Sequence, residues 1–130
     1  MTKNKDIMLK LGDFPVVPYN MILKEALEEM NKFNLGVACL VNKNNILKGI
    51  ITDGDIRRKL LKDQKPFSAF FVDDSIKHAV KKPKSSSPNK NIKETLKMMN
   101  KNEIWDLPIV QNKKLVGLVH LHPAMRKLIK

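Results

Sequence analysis

The stretch GIITDGDIRRKLL, residues 49 to 61, passes from an apolar strand into a helix within a few residues. Its Gly-Ile-Ile start is typical of a buried strand. A hydroxyl at Thr52 and carboxylates at Asp53 and Asp55 follow, and two arginines stand in the helical run. Thr52 and Asp55 are three residues apart, so both side chains can face one ligand, and the helix start favours an anion such as phosphate. The stretch therefore predicts a ligand site where the strand ends.

The pattern around this stretch occurs twice, over 16–61 and again over 86–129. The two segments match at one constant offset through a helix, and Gly49 matches Gly117 after a loop that is one residue shorter. The other matched pairs are Leu23 with Ile92, Glu25 with Glu94, Leu27 with Leu96, Met30 with Met99, Asn31 with Asn100, Leu40 with Ile109 and Val41 with Val110. This self-similarity indicates an internal duplication.

Each copy predicts a β-α-β-β-α unit. An extended piece ends at Pro18 or Pro88, an amphipathic helix follows, and a polar turn joins two strands into a hairpin. The predicted strands run over 37–41 and 46–51, then 107–110 and 115–119, and the closing helices over about 55–62 and 123–129. The chain then divides into a leading segment (1–14), a first repeat (15–63), a linker (64–83) with a short helix after Asp74 or Ser75, and a second repeat (84–130).

One unit of this kind leaves too much apolar strand surface exposed to be stable alone. Two copies packed sheet to sheet around a pseudo-twofold axis would share a core, which gives an α+β fold. Ligands favour the kind of cleft that such packing creates.

The formal net charge of +12 suggests a nucleic-acid partner, but the kind of charge does not support one. Only Arg57, Arg58 and Arg126 are arginines, and aromatic residues for base stacking make up just 5% of the chain. We therefore expect a solvated basic surface and no specific nucleic-acid binding. The sequence has no apolar run long enough for a membrane span, and Cys39 in an apolar stretch predicts a buried reduced thiol, as in a cytoplasmic protein.

The duplicated unit resembles a tandem pair of CBS domains, a Bateman module, over about 6–129. The signature of that family, G-h-x-T/S-x-x-D, stands here as GIITDGD over 49–55. The longer form TDGDIRR, the lead-in MLKLGDFPVV (8–17) and the ending GLVHLHPAMRK (117–127) are similar to the CBS pairs attached to arabinose-5-phosphate isomerases and to some sugar nucleotidyltransferases.

The resemblance implies a bound nucleotide, AMP/ATP-like or CMP-sugar-like. Asp55 would hold the ribose hydroxyls, and Thr52 would reach ribose or phosphate. The second copy has His120 in place of the threonine and Pro123 in place of the aspartate, so a second ribose site is not expected. The remaining candidate ligand residues are Val16, Val17 and Val37 for the base, Asp53 beside the motif, Arg57 or Arg58 for phosphate or a sugar carboxylate, and His120 with His122 facing the same ligand.

Structural roles explain several of these residues as well. Thr52 could serve only as a helix N-cap and Asp55 only as a first-turn acid that favours the helix dipole. Asp53 fits a turn or capping position better than a ligand position. The two adjacent arginines point about 100° apart, so only one can face the site. The histidines of H-x-H share one strand face but lack an evident third metal ligand, so no metal is predicted.

The sequence contains no recognisable catalytic constellation. It predicts a non-enzymatic regulatory module, a homodimer, that senses an adenosine or cytidine nucleotide or a nucleotide sugar and modulates a sugar-phosphate isomerase or a nucleotidyltransferase. The alternative is a purely structural dimerisation module without a ligand. The sequence names neither the ligand nor the regulated enzyme, and it leaves open whether the chain is free-standing.

Overall fold

The computed structural model describes residues 1–63, 65–121 and 124, which form two compact units. The first-repeat unit is Gly12–Pro83, and the second-repeat unit joins Met1–Leu11 to the chain from Lys84 onward. Each unit has a three-stranded sheet with helices, so the predicted α+β class is confirmed.

The sheet of the first-repeat unit has three strands, in the order β2 (Val16–Pro18), β3 (Val37–Val41) and β4 (Leu47–Thr52). Strand β2 is parallel to β3, and β3 forms an antiparallel hairpin with β4. The side chain of Asn42 stabilises the hairpin turn, because its Oδ1 accepts from the backbone N–H groups of Asn44 and Ile46. The helices of this unit are α2 Leu23–Phe33, α3 Asp53–Asp63, α4 Phe67–Phe71 and a 3-10 helix Ser75–His78.

One face of this sheet packs against helix α2. Alternate residues of a strand face opposite sides, so Ala38 and Leu40 of β3 point to the same side. Helix α2 contributes its apolar stripe, as its periodicity predicted, and α4 contributes Phe70. The buried residues of this core are Val17, Leu23, Ala26, Met30, Ala38, Leu40, Ile51 and Phe70.

The elements of the second-repeat unit are α1 Asn4–Ile7, β1 Leu9–Lys10, α5 Ile92–Lys101, β5 Asp106–Gln111 and β6 Lys114–His120. Its strands follow the order β1-β6-β5, and both pairings are antiparallel. Its core contains Ile7, Ile92, Met99, Leu107, Ile109, Val119 and Ala124. The closing helix predicted over 123–129 lies outside the described residues, apart from Ala124.

The two hairpins are covered in the same way by different parts of the chain. Val80 exchanges two backbone hydrogen bonds with Ile50 of β4, at 2.9 and 3.0 Å. In the second-repeat unit, Leu9 of β1 pairs with Leu118, the counterpart of Ile50. The linker and the leading segment therefore each add a short extended piece to the second strand of one hairpin.

The short helix predicted after Asp74 or Ser75 is confirmed, whereas the sequence pattern did not indicate α1, β1 or α4.

Candidate functional site

Thr52 ends strand β4 and caps helix α3. Its Oγ1 accepts a hydrogen bond of 3.2 Å from the backbone N–H of Asp55, three residues on. This contact satisfies one of the N–H groups that the first turn of a helix leaves without an intrahelical partner. The capping role that the sequence suggested for Thr52 is therefore present in the structure.

The carboxylate of Asp55 receives one donor on each of its oxygens. The hydroxyl of Thr52 donates to Oδ2 over 2.9 Å, and Nη2 of Arg58 donates to Oδ1 over 2.8 Å. The side chain of Asp55 is 20% exposed and that of Arg58 is 62% exposed, so the guanidinium lies on the solvent side of the carboxylate. The motif thus brings a hydroxyl, a carboxylate and a guanidinium together at the start of α3.

Two glycines make room for this cluster. A Cβ atom at Gly54 would lie 3.2 and 3.3 Å from the two terminal nitrogens of Arg58, so the guanidinium extends across the first helical turn. A Cβ atom at Gly36 would lie 2.5 Å from Oδ2 of Asp53. The backbone N–H of Asp53 also donates to the carbonyl of Gly36 over 3.0 Å. Asp53 therefore joins the start of α3 to the loop before β3.

The three valines proposed for the base occupy different environments. Val37 pairs with Thr52 in the β3–β4 register and is fully buried. Val16 is half-buried in β2, whereas Val17 packs in the core under α2. Val17 could therefore meet a ligand only through its backbone.

A cavity of about 630 Å³ opens where β2 and β3 end. Two of its lining residues, Val16 and Val17, are candidates for base contact that the sequence had suggested. Thr52 lies at the opposite end of β3, beside Val37. The other lining residues, which hydrophobic patterning does not single out, are Pro18, Tyr19, Asn20, Val41, Asn42 and Lys43.

The remaining candidates are Arg57 on α3, His120 in the second-repeat unit and His122. Arg57 is exposed on α3, while its neighbour Arg58 contacts Asp55. Nδ1 of His120 lies 2.5 Å from Oδ1 of Asp106, across the β5–β6 register. His122 is not among the described residues. In the described part of the chain, no three His, Cys, Asp or Glu side chains are grouped as a metal would require.

Sequence reasoning missed a second polar cluster, centred on His78 and Asp73. His78 is almost fully buried, and its Nε2 lies 2.8 Å from Oδ2 of Asp73. This hydrogen bond, with the nearby ammonium groups of Lys65 and Lys77, holds the pKa of Asp73 below its ordinary value. The segment has no helical or strand periodicity that would have indicated a buried histidine.

A family model for the CBS domain matches the chain twice, at residues 5–62 and 72–122. Both matches together cover most of the chain, and the fold agrees with them. The chain therefore belongs to the CBS domain family, as a tandem pair.

Curated relatives are similar to this chain over nearly its whole length. An uncharacterised protein of Helicobacter pylori (strain J99) is 36% identical over 126 residues, which cover 95% of this chain and 36% of that protein. Arabinose 5-phosphate isomerase KdsD of Yersinia pestis is 29% identical over 121 residues, 93% of this chain and 36% of that enzyme. The chain thus spans about a third of the length of these relatives.

The crystal structure of CBSX2 in complex with AMP superposes with a TM-score of 0.86 at 18% identity, over 99% of this chain and 97% of that one. This likeness shows the fold of a CBS pair.

Within the described residues, no helix combines the length and the apolar character that crossing a bilayer requires.

Proposed function

We propose that the chain is a regulatory module that binds a nucleotide at the Thr52–Asp55 cluster. The observation that supports this proposal most directly is the contact between the hydroxyl of Thr52 and the carboxylate of Asp55. These residues are three positions apart, where β4 ends and α3 begins. Asp55 would accept from the ribose hydroxyls through charge-assisted hydrogen bonds. The first-turn N–H groups of α3 and the guanidinium of Arg58 would attract phosphate.

The ligand class that we favour is an adenosine nucleotide, AMP/ATP-like. CBSX2, which has the same fold, was crystallised with AMP, and this supports the choice. A cytidine nucleotide or CMP-sugar-like ligand is the second class. Val16 would lie beside the base, and Val17 would contact it through its backbone.

The regulated partner would be a sugar-phosphate isomerase or a sugar nucleotidyltransferase, in the cytoplasm. The relative from Yersinia pestis is an arabinose 5-phosphate isomerase that is longer than this chain, which supports an isomerase. Ligand binding would favour one conformation of the module over another, by no more than the difference in its affinity for the two.

Calorimetry on Asp55→Ala tests the ribose assignment once a thermal-shift screen of nucleotides and nucleotide sugars has found a ligand. Removal of the carboxylate should weaken binding by roughly 1.5–3 kcal/mol, the range for hydrogen bonds to a charged group. Asp53→Ala is the matched control, because it removes a second acid from the same helical turn. Equal affinity of Asp55→Ala and the parent would mean that Asp55 serves only the helix.

A structural dimerisation module is the alternative, and exposed apolar side chains favour it. Leu61 at the end of α3, Phe67 at the start of α4 and Val72 after it are 72%, 63% and 70% exposed. A homodimer would bury such side chains. Light scattering should then report a dimer at micromolar concentration, and Leu61→Lys should weaken it. A dimer together with no nucleotide binding in the screen would favour this alternative over nucleotide sensing.

A further inference from the structure

We propose that Arg58 competes with the ligand for Asp55, and that this competition makes the site prefer nucleotides to the corresponding nucleosides. The inference rests on the proposed nucleotide site and assigns a specificity-determining role to one residue of it. In the structure, Arg58 donates to Oδ1 of Asp55 while Thr52 donates to Oδ2. A ribose that presents two hydroxyls to this carboxylate meets the guanidinium on its open side.

The ion pair between Arg58 and Asp55 is weak enough for a ligand to break it. It is an i, i+3 ion pair whose arginine is largely exposed, and pairs of this kind are weak because water and salt screen them. The guanidinium lies over Gly54, where no side chain stands in the way of its rotation. Arg58 can therefore leave Asp55 at little cost.

The released guanidinium remains close to the start of the helix. Side chains on a helix lean towards its N-terminus, so Arg58, in the second turn of α3, extends over the first turn. A phosphate bound at the first-turn N–H groups would lie within its reach. A nucleotide therefore offers Arg58 a new anionic partner in exchange for Asp55.

A nucleoside offers no such exchange, because its ribose displaces Arg58 from Asp55 and it has no phosphate that Arg58 could bind instead. Its ribose must displace a charged group that then has only water as a partner. The presence of Arg58 thus strengthens nucleotide binding and slightly weakens nucleoside binding, and the ratio of the two affinities measures its contribution.

Arg57→Ala provides a matched control for Arg58→Ala. Both substitutions remove one positive charge from α3. Arg57 is exposed, and its side chain points about 100° around the helix axis from that of Arg58. A change in long-range attraction for phosphate affects both variants alike, whereas exchange at Asp55 affects only Arg58→Ala.

The experiment is calorimetry at fixed ionic strength on the parent chain, Arg58→Ala, Arg58→Gln and Arg57→Ala. The probes are AMP with adenosine, and CMP with cytidine. For the pair that binds, Arg58→Ala should lower nucleotide affinity about tenfold, as expected for loss of a hydrogen bond between charged groups. It should raise nucleoside affinity by at most about twofold, the size of an exposed i, i+3 pair. Arg57→Ala should lower the ratio of the two affinities by no more than long-range attraction explains, and far less than Arg58→Ala does.

Equal effects of Arg58→Ala on nucleotide and nucleoside, or an equal loss in Arg57→Ala, would overturn the role of Arg58. If the parent then still binds nucleotide and Asp55→Ala binds it more weakly by the predicted amount, the proposed site stands without this inference. A parent that binds none of the four probes would overturn the inference, and a parent that also binds nothing in the thermal-shift screen would overturn the proposed site as well. Urea unfolding of each variant verifies that it is folded, and Arg58→Gln, which keeps most of the helical side chain, should reproduce Arg58→Ala.

Discussion

Nε2 of the buried His78 lies 2.8 Å from Oδ2 of Asp73, within the segment that the sequence identified as a linker. The imidazole ring also packs against Phe70, with ring centroids 5.1 Å apart. A carboxylate only accepts, so Nε2 donates its hydrogen to Asp73, while Nδ1 of His78 has no hydrogen-bond partner among the described residues. The linker is thus a packed part of the first-repeat unit.

Asp73→Asn should make stability less dependent on pH. The folded state lowers the pKa of Asp73 below 3.8, because His78, Lys65 and Lys77 favour the charged carboxylate. The carboxylate therefore adds stability above pH 3.8, and this contribution is lost as the pH falls through the lowered pKa. The urea midpoint of Asp73→Asn should lie below that of the parent at neutral pH, and the difference should close in acid.

Asp74→Asn is the control for this measurement. Asp74 is an exposed neighbour, and its substitution makes the same change in net charge. Its urea midpoint should follow that of the parent at every pH. Parallel pH profiles for Asp73→Asn and the parent would contradict the role assigned to the His78 contact.

Thr52→Val should destabilise the chain even without a ligand. The substitution keeps the shape of the side chain but removes the oxygen that accepts from the N–H of Asp55. Loss of an N-cap costs about 1 kcal/mol, within a range of roughly 0.5–2 kcal/mol. Thr52→Ser, which retains the oxygen, should unfold in urea close to the parent. A Thr52→Val variant as stable as Thr52→Ser would show that the cap contributes nothing.

Gly49→Ala and Gly117→Ala should both destabilise, because each glycine lies beneath the segment that covers its hairpin. A Cβ atom at Gly49 would lie 3.0 Å from the carbonyl oxygen of Val80, and one at Gly117 would lie 2.9 Å from that of Leu9. Backbone atoms cannot move aside as a flexible side chain can, so a cost of about 1–3 kcal/mol is expected in urea unfolding.

Gly54→Ala is the matched substitution for these two glycines. The nearest atoms to its added Cβ belong to the mobile end of Arg58, and alanine is the better helix former. Its stability should equal or exceed that of the parent. A loss as large as those at the two hairpin glycines would mean that close backbone approach is not the cause.

The basic surface should bind nucleic acid weakly and without sequence preference. The net charge of +12 comes almost entirely from lysines spread along the chain, and such contacts depend on the release of counterions. Fluorescence anisotropy with two unrelated labelled duplexes should give equal weak binding that is lost by about 0.2 M salt. Tight binding to one duplex at that salt would revive a specific nucleic-acid function.

The sequence alone predicted the duplication and the type of the main elements, and it gave the cap as one of two roles for Thr52. These features are local, because helix and strand periods and capping residues act over a few neighbouring positions. The stripe of Leu23, Ala26 and Met30 on α2 and the hairpin turn at Asn42 are examples, and both appear in the structure where the pattern indicated them.

Only the tertiary structure decided which segments complete the two hairpins. The pairings of Leu9 with Leu118 and of Val80 with Ile50 join very short extended pieces, which have no periodicity of their own. Such pieces become strands because an adjacent strand offers them N–H and C=O groups that need partners.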